Sequence, residues 1–192
     1  MKNTNSRLVI PILMGFIIGV LLLASCTPET EKNTMPNETQ VKLAYQQAAE
    51  AYGWFDMTTM PTDDSDSKDY NGTAYYRVKH ETIKTYADLK NHLQNLFTDD
   101  IVNKLLDQSD ASMHYVDIDG ALYAVQADRG TDIYKGDETH QIIYENDKKI
   151  IYRVEVEVID PDTQKAVDKE THDFIYENLN GKWVFSKFYL VR

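Results

Sequence analysis

The longest apolar stretch of the chain comes first: Leu8 to Leu23 carries no charge and no helical or strand alternation. Residues 27–37 then turn polar and proline-punctuated. From there helical spacing takes over. Val41, Ala44, Tyr45, Ala48 and Tyr52 fall three or four apart, Asn37 and Gln40 sit at capping-box spacing, and Gly53 is the expected stop. Trp54, Phe55, Met57 and Met60 lead into a stretch holding Asp63, Asp64, Asp66 and Asp69, which reads as an acidic loop. Thr73 to Lys79 is tyrosine-rich and reads as a strand. Two short helices follow. Thr85 and Asp88 form a capping box ahead of Leu89, Leu93, Leu96 and Phe97. Thr98 is the expected cap of the next helix, with Asp99 and Asp100 at its positive end and Ile101, Val102, Leu105 and Leu106 inward.

Beyond residue 110 the period drops to two. Met113 to Asp117 and Ala121 to Ala127 flank Asp119-Gly120, a favoured hairpin pair. Thr139 to Asn146, Lys149 to Ile159, Val167 to Asn178 and Lys182 to Val191 are further strands, joined by short turns at Asp147, Asp160-Pro161-Asp162-Thr163 and Asn180-Gly181. Successive strands on short turns predict an antiparallel meander. Helices first and strands later predict an α+β fold, with the N-terminal helices packed on one face of a twisted antiparallel meander sheet.

The opening run belongs to a different problem. Lys2 and Arg7 precede it, and Leu23-Ala24-Ser25-Cys26 closes it, the lipobox pattern of bacterial lipoproteins. The expected organisation is a signal peptide over 1–25, a flexible tether over 26–37 that starts at lipidated Cys26, and a single domain over 38–192. Two or three acyl chains on Cys26 would anchor the protein stably to the extracytoplasmic face of the cell membrane. Cys26 is the only cysteine, so lipidation leaves no thiol for a nucleophile, a disulfide or a metal.

Charge narrows the partners. The chain has a formal net charge of −11, and removing Lys2 and Arg7 with the leader leaves 18 basic and 31 acidic residues, a net −13. Nucleic acid is excluded as a partner, since phosphate binding needs basic patches. A basic protein surface is the natural complement.

Catalytic signatures are missing. His80, His92, His114, His140 and His172 show no close metal-ligand spacing, so no metal and no cofactor is expected. Glu155 and Glu157 alternate with Val154, Val156 and Val158, a solvated strand face and not a glycosidase pair. There is no nucleophile elbow, phosphate loop or dinucleotide fingerprint. Asn71-Gly72-Thr73 matches a glycosylation sequon, which carries little weight in a bacterial lipoprotein. The 13 tyrosines mostly alternate along strands and suit a core rimmed by hydroxyls. The segment that stands out is 128–138, between two strands and longer than most hairpin loops, with two glycines and four acids. It is either a merely solvated irregular hairpin or an exposed functional loop on a rigid sheet.

The order of features carries a resemblance. Ala51-Tyr52-Gly53-Trp54-Phe55, Tyr75-Tyr76-Arg77-Val78, Thr85-Tyr86 with Leu89 and Leu93, and Leu96-Phe97-Thr98 with Ile101-Val102 come first. Asp117-Ile118-Asp119-Gly120 with Leu122-Tyr123, Arg129-Gly130 with Asp132, and Gly181-Lys182-Trp183-Val184-Phe185 complete the series. In order and spacing this resembles the IseA family of D,L-endopeptidase inhibitors, across nearly all of the expected domain. The resemblance implies no enzyme but an inhibitor of NlpC-type cysteine endopeptidases, cell-wall hydrolases that cut peptidoglycan stem peptides. It also implies a glycine-flanked acidic loop that enters the enzyme's cleft. Asp128, Gly130 and Asp132 match that loop, Gly136 and Asp137 fall within the same segment, and Arg129 is placed to shape it locally. The best-known members are freely secreted, and the lipobox is where this chain departs from them. Two other readings compete. The helices-then-meander order also resembles NTF2-like and cystatin-like lipoproteins that bind a small ligand or peptide in the concave face of the sheet. An unrecognised cell-wall hydrolase would instead need polar groups converging in a cleft.

Overall fold

The computed structural model describes residues 35–107 and 113–192; the leader, Cys26 and most of the tether lie outside the described residues. Three helices come first in space around the core: α1 (Glu38–Asp56), α2 (Tyr86–Leu96) and α3 (Asp99–Leu105). The strands are β1 (Thr62–Tyr70), β2 (Thr73–Val78), β3 (Tyr115–Ile118), β4 (Ala121–Ala124), β5 (Lys135–Asn146), β6 (Lys149–Ile159), β7 (Ala166–Leu179) and β8 (Lys182–Lys187). The class is α+β with antiparallel strands, as the patterning predicts. The single meander is not what forms. The strands divide into two four-stranded sheets, ordered β1-β2-β4-β3 and β5-β6-β7-β8.

Local signals explain most element boundaries. Asn37 caps α1 with its side chain on the Gln40 N–H (3.0 Å), and the Gln40 side chain returns the bond to the Asn37 N–H (2.9 Å). Thr85 and Asp88 do the same for α2. Thr98 takes the cap position of α3, but its hydroxyl makes no capping bond. Asn71-Gly72, Asp119-Gly120 and Asn180-Gly181 all have both residues at positive φ, the backbone of a tight hairpin whose twist suits the flanking strands.

Two expectations are corrected. Gly53 does not stop the first helix, which runs on to Asp56; Gly53 is buried there, facing Leu190 of the C-terminal segment. The acidic stretch with Asp63, Asp64, Asp66 and Asp69 is not a loop but β1. The Asn71-Gly72 turn folds it back on β2, with a bulge between Asp63 and Ser67. Its side chains gain polar partners: the Tyr123 hydroxyl donates to Asp66 (2.9 Å) and the Gln126 amide to Asp64 (2.7 Å).

One apolar core joins the helices to the inner faces of both sheets. Val41, Ala48, Leu89, Leu93, Phe97, Ile150, Val154, Phe174 and Phe185 are fully or almost fully buried in it. Tyr45 of α1 stacks on Tyr152 of β6 (ring centroids 4.2 Å apart, 15° between planes), and Phe188 touches Phe97, Phe174 and Phe185. A smaller cluster of Tyr75, Val116, Ala121 and Tyr123 covers the other face of the first sheet, so β4 is buried on both sides. Among the described residues no helix is long and apolar enough to cross a membrane.

Candidate functional site

The segment singled out in the sequence is the passage from one sheet to the other. The chain leaves the first sheet at Ala124 and enters the second at Lys135. It is therefore no irregular hairpin, because β4 and β5 do not pair. Its extent also differs from the reading of 128–138. Gly136, Asp137 and Glu138 belong to β5, which leaves Asp128 to Tyr134 as the exposed crossing.

The N-terminal stem is fastened to the end of α1. Asp128 bridges Thr58, and the Arg129 N–H donates to the Met57 carbonyl (2.8 Å). The Arg129 side chain reaches the same place: Nε donates to the Asp56 carbonyl and Nη2 pairs with the Asp56 carboxylate at 2.9 Å. The last turn of α1 has no basic residue of its own, so Arg129 supplies the positive charge that a helix C-terminus favours. Arg129, expected to shape the loop locally, donates to the Gly130 carbonyl (3.3 Å) and ties the loop to Asp56 outside it. Beside this stem lies a cleft of about 240 Å³, lined by Trp54, Phe55, Thr58, His114, Asp128 and Arg129 among others.

The C-terminal stem is fastened to the second sheet. The Ile159 N–H donates to the Tyr134 carbonyl (2.8 Å), and Lys135 Nζ meets Glu170 at 2.5 Å. The Lys135 ammonium holds the Glu170 carboxyl below its ordinary range, with His172 adding to the effect. Arg192 closes over the stem: Nε donates to Glu138 (2.7 Å) and Nη2 to the Gly136 carbonyl (3.0 Å). A Cβ at Gly136 would stand 2.8 Å from Ile159 Cδ1 and 3.0 Å from Glu157 Cβ, so only glycine lets the strands lie this close.

Between the stems the loop holds its own shape. Asp128 Oδ1 accepts from the Gly130 N–H (2.7 Å), and Asp132 Oδ1 accepts from the Tyr134 N–H (2.9 Å), two Asx turns in tandem. Gly130 sits at φ +71°, a left-handed conformation that a side chain would strain. The structure therefore gathers Asp128, Arg129, Gly130 and Asp132 in the crossing, and sets Gly136 and Asp137 in the strand behind it. Composition missed two neighbours. Ile133 is 73% exposed and Tyr134 44%, at the C-terminal end of the crossing, next to β5. The segment reads by its glycines and acids, and exposure of an apolar pair within it is set by the fold, which hid them.

The remaining candidates lie apart from this loop. His80 and His92 flank the Trp54 ring (5.7 and 5.3 Å), where burial, then the nearby His80, holds His92 below its ordinary pKa. Among the described residues no three His, Cys, Asp or Glu side chains are placed to hold a metal ion. Glu155 is exposed on the outer face of β6 while Val154 and Val156 are buried on the inner face.

No curated protein matches the chain. A family model described as IseA DL-endopeptidase inhibitor matches residues 31–189, from the end of the tether through the last strand. With the match covering the helices, both sheets and the crossing between them, the chain belongs to the IseA DL-endopeptidase inhibitor family.

Proposed function

We propose that this protein is a lipid-anchored extracytoplasmic inhibitor of NlpC-type peptidoglycan D,L-endopeptidases, and that it blocks them by placing the 128–134 crossing in the active-site cleft. The observation that carries the reading is the double mooring of that crossing, to α1 through Arg129 and to the second sheet through Tyr134, Lys135 and Arg192. A loop ordered before contact avoids much of the entropy cost of binding. The net negative charge steers a basic cleft toward it and makes association salt-dependent.

The Tyr144 hydroxyl donates to the Pro36 carbonyl (3.1 Å), which holds the first described residues against β5. The ligand-binding alternative is less well supported, because rings of Tyr45, Tyr152, Phe174 and Phe188 fill the space between α1 and the second sheet.

The test adds the full-length protein, purified in detergent, to peptidoglycan digested by an NlpC-type D,L-endopeptidase. Release of cleaved stem peptides is expected to fall, and to fall further at low salt than at high salt. Undiminished digestion at excess protein overturns the reading. Mass spectrometry of the mature N-terminus tests the anchor separately, with acylated Cys26 as the expected first residue.

A further inference from the structure

The crossing carries two acids, Asp128 and Asp132, and each spends a carboxylate oxygen on a bond within it. One oxygen of Asp128 is engaged by the Gly130 N–H and one of Asp132 by the Tyr134 N–H. These are bonds that set the backbone, and they leave a different chemistry at the surface. Ile133 is the most exposed of the large apolar residues that the described surface shows, and Tyr134 follows it directly. The backbone next to them is tied: the Asx turn of Asp132 fixes the Tyr134 N–H, and the Ile159 N–H fixes the Tyr134 carbonyl. An aliphatic and an aromatic side chain are thus held out in water by a backbone bonded immediately on both sides. Exposing them costs hydrophobic free energy that burial against a partner recovers.

Resting on the inhibitor reading above, we infer that Ile133 and Tyr134 are the anchor of the inhibitory loop, seated in an apolar recess of the endopeptidase's substrate cleft. Asp128 and Asp132 are positioning residues that present this pair. Binding surfaces concentrate their affinity in a few rigid, fully desolvated side chains, and aromatic residues are prominent among them. The negative charge brings the partners together; the apolar pair sets how long they stay.

The experiment measures inhibition of a purified NlpC-type D,L-endopeptidase by four forms of the full-length protein in detergent. They are the parent, the double variant Ile133→Ser/Tyr134→Ser, Asp132→Asn, and Val167→Ser, which removes an apolar side chain 63% exposed elsewhere. The double variant is expected to lose about 30-fold or more in potency, the loss typical of a hot-spot truncation. Asp132→Asn keeps an oxygen for the Tyr134 N–H but removes the charge, and is expected to lose several-fold less potency than the double variant, whereas Val167→Ser is expected to stay within about threefold of the parent. All four should melt alike, since Ile133, Tyr134 and Val167 are exposed and Asp132→Asn keeps the acceptor of its Asx turn. Equal potency of the double variant and parent overturns the anchor while leaving the inhibitor reading standing. Loss in Asp132→Asn as large as in the double variant also overturns it, in favour of charge. A parent that does not inhibit overturns both.

Discussion

The two sheets are held together in different ways. The second is built mainly of long strands, and its inner face carries Ile150, Tyr152, Val154, Val156, Phe174 and Tyr176, all buried. The first has strands of four to nine residues, a small cluster on its outer side, and hydroxyl groups in place of much of that apolar mass. Tyr115 accepts from the Met60 N–H (2.8 Å) and donates to the Trp54 carbonyl (3.0 Å); Tyr75 donates to Met113 and Tyr123 to Asp66. The second sheet gains its stability from area, the first from specific bonds. The crossing runs from the first sheet to the second, its first stem fastened by specific bonds at the end of α1 and its second on the second sheet, so its shape depends on both kinds of support.

Removing area should do the most damage. Phe174 is fully buried among Tyr45, Phe188 and Tyr189, and Phe174→Ala leaves a cavity in the middle of that packing. A loss of about 3–5 kcal/mol in unfolding free energy is expected from the usual cost of such truncations. Denaturant unfolding measures it. A loss under about 1 kcal/mol would mean that the second sheet does not depend on this core.

Removing one hydroxyl from the first sheet should cost less, though still more than a surface change. Tyr115→Phe keeps the ring and strips the Met60 N–H of its acceptor in a buried site. Burial already pushes the Tyr115 hydroxyl well above its ordinary pKa, so the neutral phenol is the form that makes both bonds. An orphaned buried donor costs about 1–3 kcal/mol, and the same unfolding experiment should show a value in that range. A neutral substitution would show that apolar contact alone holds this sheet.

What could be read from the sequence follows the same division between local and distant causes. Capping boxes at Asn37 and Thr85 and the turns at Asp119-Gly120 and Asn180-Gly181 are written in two to four adjacent residues, and each forms as read. The strand β1 was not legible, because Asp63, Asp64, Asp66 and Asp69 lack any strand propensity and are placed by pairing with β2 and by Tyr123 and Gln126. Gly53 reads as a stop on local grounds, but Leu190 from the far end of the chain packs against a helix that continues. The split into two sheets was hidden for the same reason: alternation shows that a strand exists, not which strand it joins. In the crossing, the glycines and acids were visible, while the clamp that orders them links Asp56 to Arg129 across 73 positions.

That clamp offers the smallest and sharpest test of the comparison. Both side chains of the Asp56–Arg129 pair are nearly half exposed, at 44% and 48%, so solvent screens the attraction and Arg129→Ala should lower global stability by only about 0–1 kcal/mol. Its local consequence should be larger. Without the guanidinium, the N-terminal stem keeps the Thr58–Asp128 bridge, the bonds between Thr59 and Ala127 and the Arg129 backbone bond to Met57, whereas the stem on the second sheet keeps every tie it has. Amide hydrogen exchange at Gly130 should therefore quicken in the variant, while exchange at Ile159, whose N–H is bonded to Tyr134, stays as slow as in the parent. An equal rise at both amides would mean that the crossing opens as one unit and that the two sheets do not support it separately. A rise confined to Gly130 would place the flexible end of the loop on the side held by specific bonds, which is the side a single substitution can release.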